Sequence, residues 1–287
     1  MSLKKDLTII FVSFYSKNLI EKPISQIDSS ISIIVIENSL DHNLKKNLEK
    51  KYSNVRVVIP DKNTGNGGGA NIGLKIAKTK FVLYLDIDVE LSQATIEKLY
   101  FHANKLNDFS ILGPNIEGLN YKENYYLKKN IYENVHSMNF ITGCALFFNM
   151  TALEEIGLYD ENIFLYYEEN DLYLRSLKKN FKIYLIEDAK IKHTGNQSTD
   201  LIKKEEIEIN RNWHLMWSTF YFHKKHYGLL SAYNKTVLKL LSASSKYLIF
   251  SILRKDLDKK IYYARMSGVY NAMIGKNSWF RTNLNKK

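Results

Sequence analysis

The sequence contains a single cysteine, Cys144, among its 287 residues. One cysteine excludes an intramolecular disulfide and a cysteine-based metal cluster, and it fits a reducing compartment. No stretch of about 18 uncharged apolar residues occurs, so the sequence predicts no membrane span. The first residues lack the small-residue cleavage site of a signal peptide, so we expect none. The motif G-K-[ST] is also missing, which excludes a P-loop.

The composition predicts a folded protein with an uneven distribution of charge. Apolar residues make up 45% of the chain and aromatic residues 13%, which is enough for a packed core. Residues 201–287 hold 17 Lys or Arg against 5 Asp or Glu, whereas residues 1–200 hold 24 against 25. A basic C-terminal segment suits nucleic acid, an anionic membrane surface, or simply a solvated helical face.

Strand-like and helix-like segments alternate along the first third of the chain. Predicted strands cover residues 7–16, 31–36, 55–59 and 81–85, and predicted helices cover 41–52, the stretch up to 78, and 92–106. Asp41 is the expected N-cap of the first of these helices. This alternation predicts β-α-β units and a mostly parallel sheet, which binds ligands beyond the carboxyl ends of its strands. Polar residues follow those ends at Glu37, Asn38, Asn63, Asp86 and Asp88.

The strand at residues 81–85 ends in two carboxylates, Asp86 and Asp88. Alternation along a strand would place both on one face, with Ile87 opposite. Two carboxylates at the end of a buried strand are costly unless a cation lies between them. Mg²⁺ bound to a phosphate is one solution. A solvated strand end that caps the helix beginning near Ser92 is the other.

A glycine-rich stretch, GNGGGANIG, follows the third predicted strand. Gly65, Gly67 and Ala70 match the G-x-G-x-x-A fingerprint of dinucleotide-binding proteins, which would make the protein an NAD-dependent oxidoreductase. Four polar residues separate the strand from the fingerprint, and this strand is the third rather than the first. A loop of small residues that lets the backbone approach a bound nucleotide explains the glycines equally well.

Further strands are predicted at residues 138–150, 181–186 and 190–193, with a loop or hairpin at 120–132. Gly143 would allow another group to approach the first of these strands closely. A helix is predicted from about Glu169, with Asp171 and Arg175 paired at i and i+4. Its first-turn carboxylates either stabilise the helix dipole or include a general base. His193, at the end of the last strand, is either a structural residue or a metal ligand.

Taken in order, these segments resemble a known family. The chain contains VSFY, IENS, NTGNGGGANIG, LDID, FITGCALFF, IGLYDENIFLYYEENDLYLR and IKHTGNQS, followed by RNWHLMWSTFYFHKKHYG. The series resembles the family 2 glycosyltransferases of the GT-A fold, and within them the rhamnosyltransferase-like branch. It covers roughly residues 6–226.

The resemblance implies an α/β fold with a mostly parallel central sheet flanked by helices. The catalytic domain would cover residues 1–200 and a basic helical extension residues 201–287. The implied reaction is an inverting transfer of a sugar, with rhamnose expected, from a dTDP- or UDP-sugar. The acceptor would be a saccharide or a lipid-linked saccharide in cell-surface polysaccharide synthesis.

The resemblance also assigns site residues. Residues matching the nucleotide-sugar positions are Ser13, Tyr15, Glu37, Asn38, Asn63, Gly67, Asn71 and Asp86. Asp88 and His193 match the positions that bind the metal, Mg²⁺ or Mn²⁺. The general base falls on Glu169, with Asp171 in reserve. Glu37 and Glu169 both stand where the family more often has Asp.

The C-terminal segment has two interpretations. Residues 229–253 are apolar but interrupted by Lys235, Lys239 and Lys246, a pattern typical of a basic amphipathic helix lying in a membrane interface. The alternative is a helix packed on the catalytic domain. The family resemblance favours the membrane, so we expect a cytoplasmic protein that is peripheral at the inner face of the cell membrane.

A non-catalytic module that binds nucleotide sugars or nucleic acid is the remaining alternative. Trp213, Trp217 and Tyr221 lie among basic residues and could stack on bases. No nucleic-acid-binding motif is recognisable, so we expect no nucleic-acid partner.

Overall fold

The computed structural model describes residues 2–132, 134–195, 199 and 204–281. The chain forms two compact units. The first comprises Met1–Tyr159 and Glu169–Asp200, and the second comprises Asp160–Glu168 and Leu201–Lys287. The predicted domain boundary between residues 200 and 201 lies outside the described residues and stays a prediction. Residues 196–198 of the KHTGNQS motif also lie outside them.

The first unit is built on one sheet. Its strands are β1 (Leu7–Ser13), β2 (Ser32–Glu37), β3 (Val55–Val58), β4 (Phe81–Leu85), β5 (Val89–Leu91), β6 (Phe109–Ile116), β7 (Tyr126–Tyr132), β8 (Val135–Met138), β9 (Ala145–Asn149) and β10 (Lys182–His193). Its helices are α1 (Leu3–Asp6), α2 (Glu21–Ser25), α3 (His42–Lys51), α4 (Gly65–Ile76), α5 (Gln93–Lys105), α6 (Met150–Ile156) and α7 (Glu168–Lys178). Asp41 caps α3 as predicted, because its Oδ1 accepts hydrogen bonds from Asn43 N and Leu44 N, each at 2.9 Å.

The sheet is mixed rather than mostly parallel. Its order is β3-β2-β1-β4-β9-β6-β10-β8-β7, with β5 paired to β10. The first four strands in this order are parallel, as predicted, and β6 is parallel to β10. The other pairings are antiparallel, including β9 between β4 and β6. The β-α-β pattern therefore predicted the N-terminal half of the sheet and not the rest.

Two strand predictions in the C-terminal half need correction. Residues 138–150 do not form one strand: Met138 ends β8, residues 139–144 turn around Gly143, and β9 starts at Ala145 beside the carboxyl end of β4. β9 then runs back along β4, which makes it antiparallel. Residues 181–186 and 190–193 are parts of the single strand β10, which carries an irregularity between Ile186 and Lys190. The loop or hairpin expected at 120–132 is a hairpin, in which β7 pairs with β8.

The glycine-rich stretch is helical rather than a loop. It forms the first turns of α4, although glycine is a poor helix former. Packing explains the choice: a Cβ on Gly69 would lie 2.9 Å from Val12 Cγ1, and one on Gly73 would lie 2.8 Å from Ile10 Cδ1. The glycines therefore let α4 lie flat on β1, and the dinucleotide fingerprint needs no nucleotide to explain it.

The sheet is buried on both faces, as strands covered by helices require. Neighbouring residues along β1 enter different hydrophobic clusters, with Ile9 and Phe11 in one and Ile10 in the other. In β4, Leu83 belongs to the first cluster and Tyr84 to the second. This double burial fixes the strand register and hence the positions of the residues that follow each strand.

The second unit is helical, as predicted. α8 (Lys204–Ile252) is interrupted at Gly228, whose φ of 85° and ψ of 170° are not helical, and α9 (Asp256–Met273) packs against α8. Trp213 and Trp217 are buried in the core of this unit. Their indole nitrogens donate to Ser267 Oγ and to the Lys276 carbonyl. Both rings are therefore unavailable for stacking on nucleic-acid bases.

Among the described residues, we find no helix with the length and hydropathy needed to cross a bilayer.

Candidate active site

The two carboxylates after β4 lie in a turn, not in the strand itself. Asp86 N donates to the Cys144 carbonyl at 2.8 Å, and Val89 N donates to the Asp86 carbonyl at 3.2 Å. The tight turn brings the carboxylates of Asp86 and Asp88 together. Strand alternation, on which the sequence argument relied, does not apply here.

Sheet register brings His193 to the same place. β5 and β10 pair antiparallel with Val89 opposite His193, so the imidazole lies one residue from Asp88. His193 Nε2 is 3.4 Å from Asp88 Oδ1. The backbone oxygen of Asp88 is held by N and Oγ1 of Thr194, each at 3.2 Å.

Asp86, Asp88 and His193 together fit a divalent metal ion. One ligand atom from each residue lies within 4.8 Å of the others. Two carboxylate oxygens and an imidazole nitrogen suit Mg²⁺ or Mn²⁺, and the nitrogen suits the transition metal better. The predicted metal ligands Asp88 and His193 thus lie side by side, and their binding of a metal ion stays a prediction. Asp86, which the family resemblance assigned to the sugar, is a third ligand candidate.

The electrostatics of this cluster also favour a cation. Burial, together with the charges of Asp88 and Glu169, raises the pKa of Asp86 to about 7. The hydrogen bond to Asp88 raises the pKa of His193. Negative charge from neighbouring carboxylates contributes to both shifts, whereas burial raises the pKa of Asp86 and opposes the rise of the pKa of His193. A bound divalent ion would neutralise that charge.

Two residues that the sequence did not single out orient Asp86. The Tyr84 hydroxyl lies 2.8 Å from Asp86 Oδ1 and 2.7 Å from Asn66 Oδ1. A hydroxyl carries one proton, so donation to Asp86 requires the Asn66 amide to turn and donate to the hydroxyl. Asn66 belongs to the first turn of α4. The link therefore connects the N-terminus of α4 to the metal-binding carboxylate.

Glu169 lies in the first turn of α7, close enough to Asp86 to raise the pKa of that carboxyl. Burial raises the pKa of Glu169 itself, which makes its carboxylate a better proton acceptor near neutral pH. The close approach predicted at Gly143 is to this side chain, because a Cβ there would lie 3.3 Å from Glu169 Cδ and Cγ. The Tyr173 hydroxyl is buried nearby and has no hydrogen-bond partner among the described residues.

Asp171 occupies a different environment. It is fully buried and accepts a hydrogen bond of 2.8 Å from Arg175 Nε, which is the predicted i, i+4 pair. The Arg175 guanidinium also donates to the carbonyls of Ile156, Gly157 and Leu158. Asp171 therefore anchors an arginine that closes the end of α6. This arrangement favours Glu169 over Asp171 as the base.

Two of the residues assigned to the nucleotide, Glu37 and Asn38, lie at the end of β2. Their side chains form hydrogen bonds with other groups of the protein. Glu37 is fully buried, and its carboxylate accepts hydrogen bonds from Ser39 and from Asp41 N. The Asn38 amide donates to the Gly65 carbonyl at 2.9 Å and accepts from Thr64. Both side chains hold the loops around the site in place.

The side-chain amides of Asn63, which precedes α4, and Asn71, which lies within it, also form hydrogen bonds with the protein backbone. Asn63 Oδ1 accepts a hydrogen bond from Gly65 N at 2.9 Å, and Gly67 is buried in the first turn of the helix. Asn71 forms a reciprocal pair with the backbone N and O of Tyr159, at 3.0 and 2.9 Å. The side chain of Asn71 therefore ties α4 to the segment after α6.

The end of β1 contributes Ser13 and Tyr15. Ser13 is paired with Glu37 across the strands, and its buried Oγ has no hydrogen-bond partner among the described residues. Tyr15 has a φ of 50° in the turn after β1. Burial and the charge of Glu37 raise the pKa of Tyr15, so the two groups are close. Three of the residues predicted to bind the nucleotide are thus neighbours at one edge of the sheet: Ser13, Tyr15 and Glu37.

Comparison with known proteins agrees with this geometry. Residues 15–157 match the family model described as glycosyl transferase family 2. The chain is 22% identical over 292 residues to the low-salt glycan biosynthesis hexosyltransferase Agl10 of Haloferax volcanii, covering 94% of this chain and 91% of that protein. It is 23% identical over 261 residues to the dTDP-rhamnosyl transferase RfbF of Shigella flexneri, covering 83% and 86%.

A solved structure shares the fold. The mannosyltransferase PcManGT from Pyrobaculum calidifontis, in complex with GDP-Man and Mn²⁺, superposes with a TM-score of 0.55 at 11% identity, covering 93% of this chain and 86% of that one. The predicted GT-A architecture is therefore confirmed, with the mixed sheet and long C-terminal helices described above. The chain belongs to glycosyl transferase family 2.

Proposed function

We propose that this protein is a metal-dependent glycosyltransferase that takes a sugar from a nucleotide-diphosphate donor. The observation that carries the proposal is the convergence of Asp86, Asp88 and His193 within 4.8 Å of one another at the edge of the sheet. Tyr84 and Asn66 link this cluster to the N-terminus of α4, and a helix N-terminus favours a phosphate nearby.

The residues would share the chemistry as follows. Asp86, Asp88 and His193 would hold Mg²⁺ or Mn²⁺, which supplies positive charge to the leaving diphosphate. Glu169 accepts the proton of an acceptor hydroxyl as that oxygen bonds to the anomeric carbon and the bond to the diphosphate breaks. Attack from the face opposite the diphosphate inverts the anomeric configuration.

For the donor, we propose dTDP-rhamnose, with a UDP-sugar as the second candidate. Similarity to the dTDP-rhamnosyl transferase over most of both chains supports rhamnose. Release of nucleoside diphosphate in the presence of Mn²⁺ would be measured with each donor and an oligosaccharide acceptor. We expect one donor to react far faster than the others, and NMR of the product to show an inverted anomeric centre. A product with retained configuration would contradict the mechanism.

For the acceptor, we propose a saccharide or a lipid-linked saccharide, and with it peripheral attachment to an anionic membrane. The helix after Gly228 supports the attachment, because it buries small residues and exposes large apolar ones. The exposed set, here called the apolar stripe, comprises Leu230, Leu238, Leu241, Leu248 and Ile252, with exposures between 58% and 80%. Their spacing places them on one side of the helix, and a contiguous apolar surface of this kind marks an interaction site.

Lysines accompany the apolar stripe at Lys235, Lys239 and Lys246. Basic residues beside an apolar helical face are the pattern of helices that lie in an anionic membrane interface. Co-sedimentation with vesicles that contain anionic lipid should therefore be strong at low salt and weaker at high salt. Absence of binding at low salt would contradict the membrane proposal and leave the sugar-transfer proposal unaffected.

A further inference from the structure

A cavity of about 360 Å³ that is open to solvent lies at the surface of the helical unit, lined by residues of α8 and α9. Its polar lining consists of Lys239 and Ser242 from α8 and Tyr262 and Arg265 from α9. A water occupies about 30 Å³ in the liquid, so the cavity has room for a group the size of a phosphate with part of its attached chain. None of these residues belongs to the candidate active site.

In the part of the chain that the structure describes, neither Lys239 nor Arg265 forms an ion pair with a carboxylate. Arg265 Nε donates to Asn212 Oδ1 at 2.6 Å, and Asn212 in turn donates to Glu208. The charge of the Arg265 guanidinium is therefore compensated indirectly by Glu208, through the Asn212 amide.

Each cation of the cavity disfavours the charge of the other. Lys239 is exposed to solvent, yet its pKa is lowered, first by partial burial and then by the charges of Lys235 and Arg265. Like charges that lie close together repel each other, and an anion bound between them would reverse that repulsion. A phosphate oxygen could accept hydrogen bonds from both cations and from the Ser242 hydroxyl.

The rest of the cavity lining is apolar. Leu215, Met216 and Leu238 complete its wall, and Leu238 is also a member of the apolar stripe. One residue is thus shared by the cationic cavity and the exposed apolar surface. A ligand that matches both parts has an anionic end for the cavity and a hydrocarbon end for the stripe. A free inorganic phosphate would use only the first.

We propose that this cavity binds the phosphate headgroup of an anionic membrane lipid, with the lipid's hydrocarbon chains lying along the apolar stripe. The proposal rests on the membrane attachment proposed above and adds a stoichiometric lipid site to it. It does not depend on sugar transfer. Specific headgroup binding would hold α8 and α9 at the membrane surface in one orientation.

The experiment uses dihexanoyl phosphatidic acid below its critical micelle concentration, so that no membrane surface is present. Titration of the full-length protein, followed by calorimetry, should show saturable binding of one lipid. Lys239→Gln should weaken that binding about tenfold, because it removes a charge-assisted hydrogen bond to the phosphate. Inorganic phosphate and dihexanoyl phosphatidylcholine should bind much more weakly.

Lys260→Gln is the matched control, because it removes the same charge from an exposed position on α9. Its affinity for the short-chain lipid should equal that of the wild type. Arg265→Gln gives an independent second variant, with circular dichroism to show that it is folded, and should also weaken binding.

Several results would overturn the site. Equal loss of affinity in Lys260→Gln would show that only net charge matters. Equally tight binding of inorganic phosphate would show that the hydrocarbon chains contribute nothing. If the short-chain lipid fails to bind while anionic vesicles still do, the membrane attachment stands and the headgroup site is wrong.

Discussion

Carboxylates in a poorly solvated environment dominate the site at the scale of single residues. Asp86, Asp88 and Glu169 all lie in one neighbourhood, and His193 Nε2 is 3.4 Å from Asp88 Oδ1. Such a cluster is unfavourable in isolation and becomes favourable when a metal ion binds. The roles proposed above, metal binding for Asp86 and Asp88 and proton acceptance for Glu169, can be tested separately.

Removing the carboxylate of Glu169 should abolish transfer while preserving the fold. We expect Glu169→Gln to lower kcat by about 10² to 10⁴, the usual cost of losing a positioned base. The dissociation constant for the donor should stay unchanged, measured by calorimetry with Mn²⁺ present. Glu154→Gln, at an exposed position on α6, is the matched control and should be fully active. Full activity in Glu169→Gln would place the base elsewhere.

Tyr84 should act on the metal through Asp86. Tyr84→Phe removes the hydroxyl that lies 2.8 Å from Asp86 Oδ1, and we expect Mn²⁺ affinity to fall about 10- to 100-fold. Mn²⁺ binding would be followed by electron paramagnetic resonance, without donor or acceptor. Tyr100→Phe is the control, because its hydroxyl bonds Asp6, outside the site. An unchanged Mn²⁺ affinity in Tyr84→Phe would remove the orienting role.

The sequence indicated the candidate metal ligands but not the residues that orient them. Asp86, Asp88 and His193 carry side chains whose chemistry is visible without a structure. Tyr84 gave no signal, because its role depends on Asn66 and hence on where α4 begins. The contact of Asn71 was also not visible in the sequence, because its side-chain amide, assigned to the nucleotide, bonds the Tyr159 backbone 88 residues away.

At the scale of elements, α4 shows how packing outweighs propensity. Five glycines in its sequence would ordinarily weaken a helix, yet they allow its close contact with β1. Local sequence alone favoured a loop there, because the sheet surface that rewards the glycines is distant in sequence. The same limitation divided β10 into two predicted strands and extended the predicted strand at β9 back over the connecting residues 139–144.

The helix–strand contact can be tested at Gly73. A Cβ at this position would lie 2.8 Å from both Cδ1 and Cγ2 of Ile10, so Gly73→Ala should destabilise the protein by about 1–3 kcal/mol despite alanine's higher helix propensity. Urea denaturation would measure the change. In an Ile10→Val background, which removes Cδ1, the cost of Gly73→Ala should be smaller. A stabilising effect of Gly73→Ala would contradict the packing argument.

At the scale of the whole molecule, charge and chemistry occupy different parts of the sequence. The carboxylate cluster and the sheet belong to the nearly neutral residues 1–200, and the excess positive charge belongs to residues 201–287. Counting charged residues along the sequence was enough to predict where the excess positive charge lies. It was not enough to predict that segment Asp160–Glu168 groups with the C-terminal helices, because that grouping depends on tertiary contacts.

Within the helical unit, those contacts are specific. Asp160 accepts hydrogen bonds from the Tyr221 hydroxyl at 2.9 Å and from Lys225 Nζ at 2.7 Å, and the Leu165 carbonyl accepts one from Ser218 Oγ at 2.8 Å. Burial opposes the ionisation of Asp160, but the hydrogen bonds from Lys225 and Asn162 lower the pKa of its carboxyl to about 2. A segment in the middle of the chain is thus built into the C-terminal helices.

The most direct test of the central claim is the thermal stability of the full chain with candidate nucleotides. Deoxythymidine, uridine and guanosine diphosphates would each be added with and without Mn²⁺, alongside NAD, for the wild type and Asp88→Asn. A ligand at about 100 times its dissociation constant should add roughly 2.7 kcal/mol to the free energy of unfolding. We predict that one nucleoside diphosphate stabilises the wild type only with Mn²⁺, and that Asp88→Asn loses the effect. Stabilisation by NAD alone, or by a nucleotide equally well without metal and in Asp88→Asn, would contradict the account.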